Sequence, residues 1–185
     1  MIFPISCTIL FLIQHKEIYK SLNSEVQRQI IYTVGLYSYA IPLLINGTMR
    51  KLKRPIERRY MIVMMSTILC GLGMYMNDEK ELLPLKQLFL GNSLALAICY
   101  YGYLKIPINL HILSMSSIIS ALVINSNNTD NSYLVTLLSL LIILTGMLNT
   151  VALKLKKNTQ KEINISLFIG VASQIFIISL EKIKH

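Results

Sequence analysis

The sequence predicts an all-α fold, a polytopic integral membrane helical bundle of about six spanning helices plus a short N-terminal apolar segment. Three observations lead there. The 185 residues are 54% hydrophobic and only 15% charged, against roughly a quarter charged in a soluble domain. The mean hydropathy is +0.55. The apolar residues are gathered into runs, the pattern a bilayer imposes. Helix is the default inside those runs, because an isolated strand leaves its backbone groups unsatisfied in lipid. At this length one transmembrane domain over residues 1–185 is expected, without a separate soluble part.

The first run, residues 2–14, is shorter than a spanning helix needs and reads as re-entrant or partly inserted. It lacks the basic start and small-residue cleavage site of a signal peptide, so it is expected to be retained. Six longer runs follow at about 29–46, 60–76, 88–104, 107–124, 133–153 and 163–180, several at the short end for a span. Their connections alternate in character. MRKLKRPIERRY (49–60) is densely basic, and NDEKELLPLKQ (77–87) is acidic. Pro107 marks a tight junction, just inside the start of the next helix. NSNNTDNS (125–132) is polar with no basic residue, VALKLKKNTQKE (151–162) is basic, and EKIKH closes the chain.

If every later run spans, the loop at 49–60, Lys105 and the stretch at 154–161 share one face. That face holds most of the 18 lysines and arginines, so the positive-inside rule makes it cytoplasmic. A phosphate-binding face would also be basic, for a chemical reason. The net charge of +9 therefore points to anionic head groups before nucleic acid, and no aromatic-interleaved basic pattern argues for nucleic acid. Cys7, Cys70 and Cys99 all fall in apolar runs and match neither a zinc cluster nor a redox pair. Three distant histidines and scattered acids give no metal site, and no glycine-rich phosphate loop implies a nucleotide cofactor. No cofactor is expected, and oligomeric state is left open.

Three separated features converge on the basic face. Arg54-Pro55 opens RPIERR, and an arginine fork grips two phosphate oxygens. Equally, arginines here serve as head-group anchors. His111 lies in PINLHILS, either as a proton donor to a leaving oxygen or as a buried hydrogen-bonding residue at a helix end. The stretch from Ala152 to Glu162 supplies Lys156 and Lys157 but neither histidine nor arginine.

These residues resemble, in order and spacing, the type 2 phosphatidic acid phosphatase superfamily, particularly its compact bacterial membrane forms. That family carries a lysine followed by Arg-Pro, a Pro-Ser-Gly-His-like element, and then Ser-Arg, five residues, His, three residues, Asp. Arg54-Pro55 matches the end of the first motif, with Gly47 in the lysine's place. The second motif is met only through His111. In the third, Val151-Ala152 takes the Ser-Arg positions, Asn158 the histidine and Glu162 the acid. GMLNTVALKLKKNT and EINISLFIGV resemble the helices that flank this motif in compact relatives.

The resemblance implies roles. His111 would be the proton donor and Glu162 the orienting acid, if the protein is active, with Arg54 as phosphate ligand and Lys156 and Lys157 beside it. Asn158 cannot be the nucleophile, because its amide nitrogen is delocalised. Ala152 removes a charge that stabilises phosphoryl transfer. The expectation is an integral protein of the bacterial cytoplasmic (inner) membrane, related to lipid-phosphate phosphatases, catalytically impaired, with membrane lipids and a phosphorylated lipid as partners. Two other readings stand beside it. One is an active lipid-phosphate or isoprenyl pyrophosphate phosphatase that uses His111 with non-standard chemistry. The other is a structural membrane protein or a transporter, although acids are nearly absent from the apolar runs.

Overall fold

The computed structural model of the chain describes residues 58–75, 83–102, 108–125, 132–156 and 158–184, with isolated positions between 24 and 52. These residues form α1 (Arg58–Tyr75), α2 (Leu83–Gly102), α3 (Leu110–Asn125), α4 (Ser132–Lys154) and α5 (Gln160–Lys184). The fold is all-α, but it is not the bundle of about six spanning helices that the runs suggested. Among the described residues there are five helices, and only two, over Val135–Lys154 and Gln160–Leu180, are long and apolar enough to cross a membrane.

The reason is length and polarity. A span needs about 20 predominantly apolar residues to match the hydrocarbon core. The apolar stretches Met61–Met74 of α1 and Leu110–Ile124 of α3 fall short of that. α2 has 20 residues, but Lys86, Gln87, Asn92 and Ser93 interrupt its apolar character. The runs at 2–14 and 29–46 lie outside the described residues, apart from Tyr32 and Leu44.

α1 packs on α2, α2 and α3 both pack on α5 and on each other, and α4 lies along α3. The shared core takes Leu69 and Leu72 from α1, Leu85 and Phe89 from α2, and Leu113 and Ile118 from α3. α1 and α2 are also joined by a reciprocal pair of bonds. Ser66 Oγ donates to the Ser93 carbonyl (3.0 Å) and Ser93 Oγ to the Ser66 carbonyl (2.9 Å). α5 approaches α3 closely at Gly170, which lies directly against Leu113, Ser116 and Ser117.

α4 behaves as a helix meant for an apolar surrounding. Only 17% of its spanning window is buried by the rest of the protein, and 33% of that in α5. Leu140, Ile142, Ile143 and Met147 stand exposed. Three of its hydroxyls bond within the helix, Ser139, Thr145 and Thr150 donating to the Val135, Leu141 and Gly146 carbonyls at 2.8, 2.7 and 2.9 Å. Buried core helices of soluble proteins hide such a surface; this one displays it. That is the behaviour of a membrane-associated chain.

Candidate functional site

The basic stretch VALKLKKNTQKE is mostly helical. It contains the end of α4, a turn, and the start of α5. α4 stops because Leu155 and Lys156 turn back on it, their N–H groups reaching the Val151 and Leu153 carbonyls at 2.9 and 3.0 Å. Lys156 closes the helix in the left-handed region, φ 50°, where glycine or asparagine is usual. Lys154, in the last turn, suits the negative end of the helix dipole.

α5 then starts with a reciprocal cap. Glu162 N–H donates to Thr159 Oγ1 at 3.3 Å, and Thr159 N–H donates to Glu162 Oε2 at 3.0 Å. This is the capping-box pattern, in which two orphan donors at a helix start satisfy each other's partners. The same Oε2 accepts from Asn158 Nδ2 at 3.0 Å. Glu162 therefore fills the anion position at the N-terminus of α5 with its own carboxylate.

α3 begins in an analogous way, and the two starts are joined. Asn109 caps α3 by accepting the N–H groups of His111 (3.0 Å) and Ile112 (3.3 Å) on Oδ1. Its Nδ2 donates to Asn158 Oδ1 at 2.9 Å. Its own N–H donates to Ser166 Oγ at 3.0 Å, and Ser166 Oγ donates to the Glu162 carbonyl at 2.7 Å. The chain of bonds Asn109–Asn158–Glu162–Thr159 thus clasps the N-termini of α3 and α5 together.

Of the residues singled out from sequence, Asn158 and Glu162 meet directly. His111 shares the first turn of α3 with Asn109, but its side chain is exposed. Lys156 is exposed beside the turn, as are Lys154 and Lys161. Ala152 is buried and clusters with Ile112 and Ile163, so the register of the family arginine is an apolar packing position here. Gly47 is exposed, with nothing near its α-carbon side. Arg54 and Lys157 lie outside the described residues.

Asn109 and Ser166 were not picked out by sequence. Asn109 had a local signal, since an asparagine directly before an apolar helical run is a preferred N-cap. Ser166 had none. Chemically, the arrangement holds no nucleophile at position 158. Both ends of the Asn158 amide are already engaged, and the nearby acid is committed to backbone capping. Among the described residues, the exposed groups beside the clasp are the Lys154, Lys156 and Lys161 ammonium groups and the His111 imidazole.

No protein-family model matches the chain, and no curated protein or solved structure is found similar to it.

Proposed function

We propose that this chain is an integral protein of the bacterial cytoplasmic membrane that carries the motif order of the lipid-phosphate phosphatases, does not hydrolyse phosphate esters, and engages phosphorylated lipid head groups. One observation carries the reading. At the register of the family nucleophile, the Asn158 amide donates to Glu162 and accepts from Asn109. A group that attacks phosphorus needs a free lone pair facing the substrate. The Asn158 nitrogen lone pair is delocalised into the amide, and its oxygen already accepts from Asn109.

Head-group binding follows from what surrounds the clasp. Lys154, Lys156 and Lys161 stand exposed where the two apolar helices meet. That junction sits at head-group level if both helices cross the bilayer. Each lysine near an anionic leaflet contributes about 1 kcal/mol. The proposal rests on motif register and on this junction and does not depend on a span count.

The test is a two-part assay on purified full-length protein in nanodiscs. Release of inorganic phosphate is measured from phosphatidic acid, phosphatidylglycerol phosphate and isoprenyl pyrophosphate. Retention of phosphatidic acid over phosphatidylcholine is measured alongside. No turnover, with selective retention that falls when Lys154, Lys156 and Lys161 are replaced by alanine, is the expected result. Turnover that His111→Ala abolishes would sink the non-hydrolytic reading, and equal retention of both lipids would sink the head-group reading.

A further inference from the structure

The contacts between helices fix which residues share a level. α5 runs parallel to α3: Asn109 meets Ser166, Gly170 lies against Leu113, and Gln174 Nε2 donates to Ser117 Oγ at 2.7 Å, each pair 57 residues apart. α2 runs the other way. Its end is linked through residues 103–107 to Ile108, beside the start of α3, and its Gly91 lies flush against the Gln174 amide. One end of the bundle therefore gathers the end of α2, the starts of α3 and α5, and the α4–α5 turn.

Counted from the Gly91–Gln174 contact at about 1.5 Å of rise per residue, the exposed chemistry changes in order toward that end. At the level of the contact, α5 exposes Ile175 and Phe176. About 10 Å nearer the end stand Ile98 of α2 and Phe168 of α5, the latter 73% exposed. Tyr101, 75% exposed, follows at about 15 Å. Tyr100 is beside it, the ring centroids 5.5 Å apart in an edge-to-face pair. Lys161 stands about 20 Å out, next to the turn that carries exposed Lys154 and Lys156.

Single exposed tyrosines are ordinary on a surface that faces water. Apolar side chains, then tyrosines, then lysines along one axis follow the order of a bilayer leaflet: acyl chains, boundary, head groups. A tyrosine there buries its ring and keeps its hydroxyl wet, and a lysine carries its ammonium to the phosphates. We infer that Tyr100 and Tyr101 seat the end of α2 at the boundary between acyl chains and phospholipid head groups, in the leaflet that the lysines contact. α2 is not one of the helices long and apolar enough to cross a membrane, and this seat gives it a lipid contact of its own. The inference rests on the reading that the α4–α5 junction lies at head-group level.

The chain contains no tryptophan, so a single introduced one reports its own depth. Tyr101→Trp and Ile143→Trp, the second on the exposed side of α4, are made in the full-length protein and reconstituted in phosphatidylcholine vesicles. Lipids brominated near the top or near the tip of the acyl chain quench indole at the matching depth. Tyr101→Trp should emit at shorter wavelength than indole in water and lose more intensity to the shallow bromines. Ile143→Trp should lose more to the deep ones. Tyr100→Trp gives a second reading at the level of Tyr101, should the first variant fail to fold. Emission as in water from both tyrosine positions, with Ile143→Trp quenched by the deep bromines, overturns the seat of α2 and leaves the head-group reading standing. Stronger quenching of Tyr101→Trp by the deep bromines also overturns it. If Ile143→Trp is quenched by neither lipid, the membrane placement of the junction falls, and the seat of α2 with it. The neutral lipid keeps this readout independent of any selectivity for phosphatidic acid.

Discussion

Replacing Gly170 by alanine is expected to force α3 and α5 apart. The new Cβ would meet Ser116 Oγ, the Leu113 carbonyl oxygen at 2.5 Å and Ser117 N at 3.1 Å. Ser116 has a way out, since its hydroxyl can rotate and surrender its 2.8 Å bond to the Leu113 carbonyl. The two backbone atoms belong to a helix and have none. Overpacking that moves backbone costs about 1–3 kcal/mol, and alanine returns about 0.8–1 kcal/mol in helix propensity. The net loss reaches about 2 kcal/mol, or up to about 8 °C in thermal midpoint for a chain of this size. Gly146 of α4 is the control, because nothing lies within 4 Å of where its Cβ would sit. Gly146→Ala should therefore raise the midpoint by the propensity gain alone. Circular dichroism melts of both variants in one detergent give the comparison. Shifts in the same direction would refute the close approach of α3 and α5.

Three further outcomes are expected. Asn109→Ala removes the cap of α3 and its bond to Asn158 and should cost about 1–2 kcal/mol, read as a lower melting midpoint. Lys156→Gly relieves a left-handed residue at the end of α4 and should raise stability by about 1 kcal/mol, while phosphatidic acid retention in nanodiscs falls. Ala152→Arg places a guanidinium among Ile112 and Ile163 and should destabilise by about 3 kcal/mol or more. It should leave phosphate release undetectable, as scored by melting and by the phosphate assay.

Much of the helix order was legible because apolar runs and breakers are local. The run expected at 133–153 forms as Ser132–Lys154, and that at 163–180 forms as Gln160–Lys184. The start of α5 was placed late because TQKE was weighed for catalysis, when Thr159 and Glu162 also spell a capping box. The span count failed for a different reason. Runs at the short end for a span shorten further once helix ends are set, and Lys86, Gln87 and Asn92 fall inside α2, so hydropathy alone overcounts the spans. The clasp itself was out of reach. Asn109 and Asn158 are 49 residues apart, and no local pattern tells one asparagine to seek another. The same holds for Gln174 and Ser117, 57 residues apart. Polar residues inside apolar runs are visible as anomalies, but the helix each one faces is decided only by packing.

The sequence's two differences from the phosphatase pattern it resembles, at positions 152 and 158, are physically linked at the α4–α5 turn. A catalytic turn must leave its nucleophile under-bonded and its phosphate donors empty, so that the substrate completes them. This turn does the opposite at Ala152, Asn158 and Glu162. Ala152 faces inward and packs with Ile112 and Ile163, which draws the end of α4 onto the starts of α3 and α5. Asn158 is thereby held where both ends of its amide find partners. Glu162 supplies the negative charge that a phosphate would otherwise bring to the head of α5. Histidine placed at 158 alone would break the link to Asn109, and arginine placed at 152 alone would disrupt the apolar cluster. A turn so closed can still serve a membrane protein through what it presents outward, which is the row of lysines.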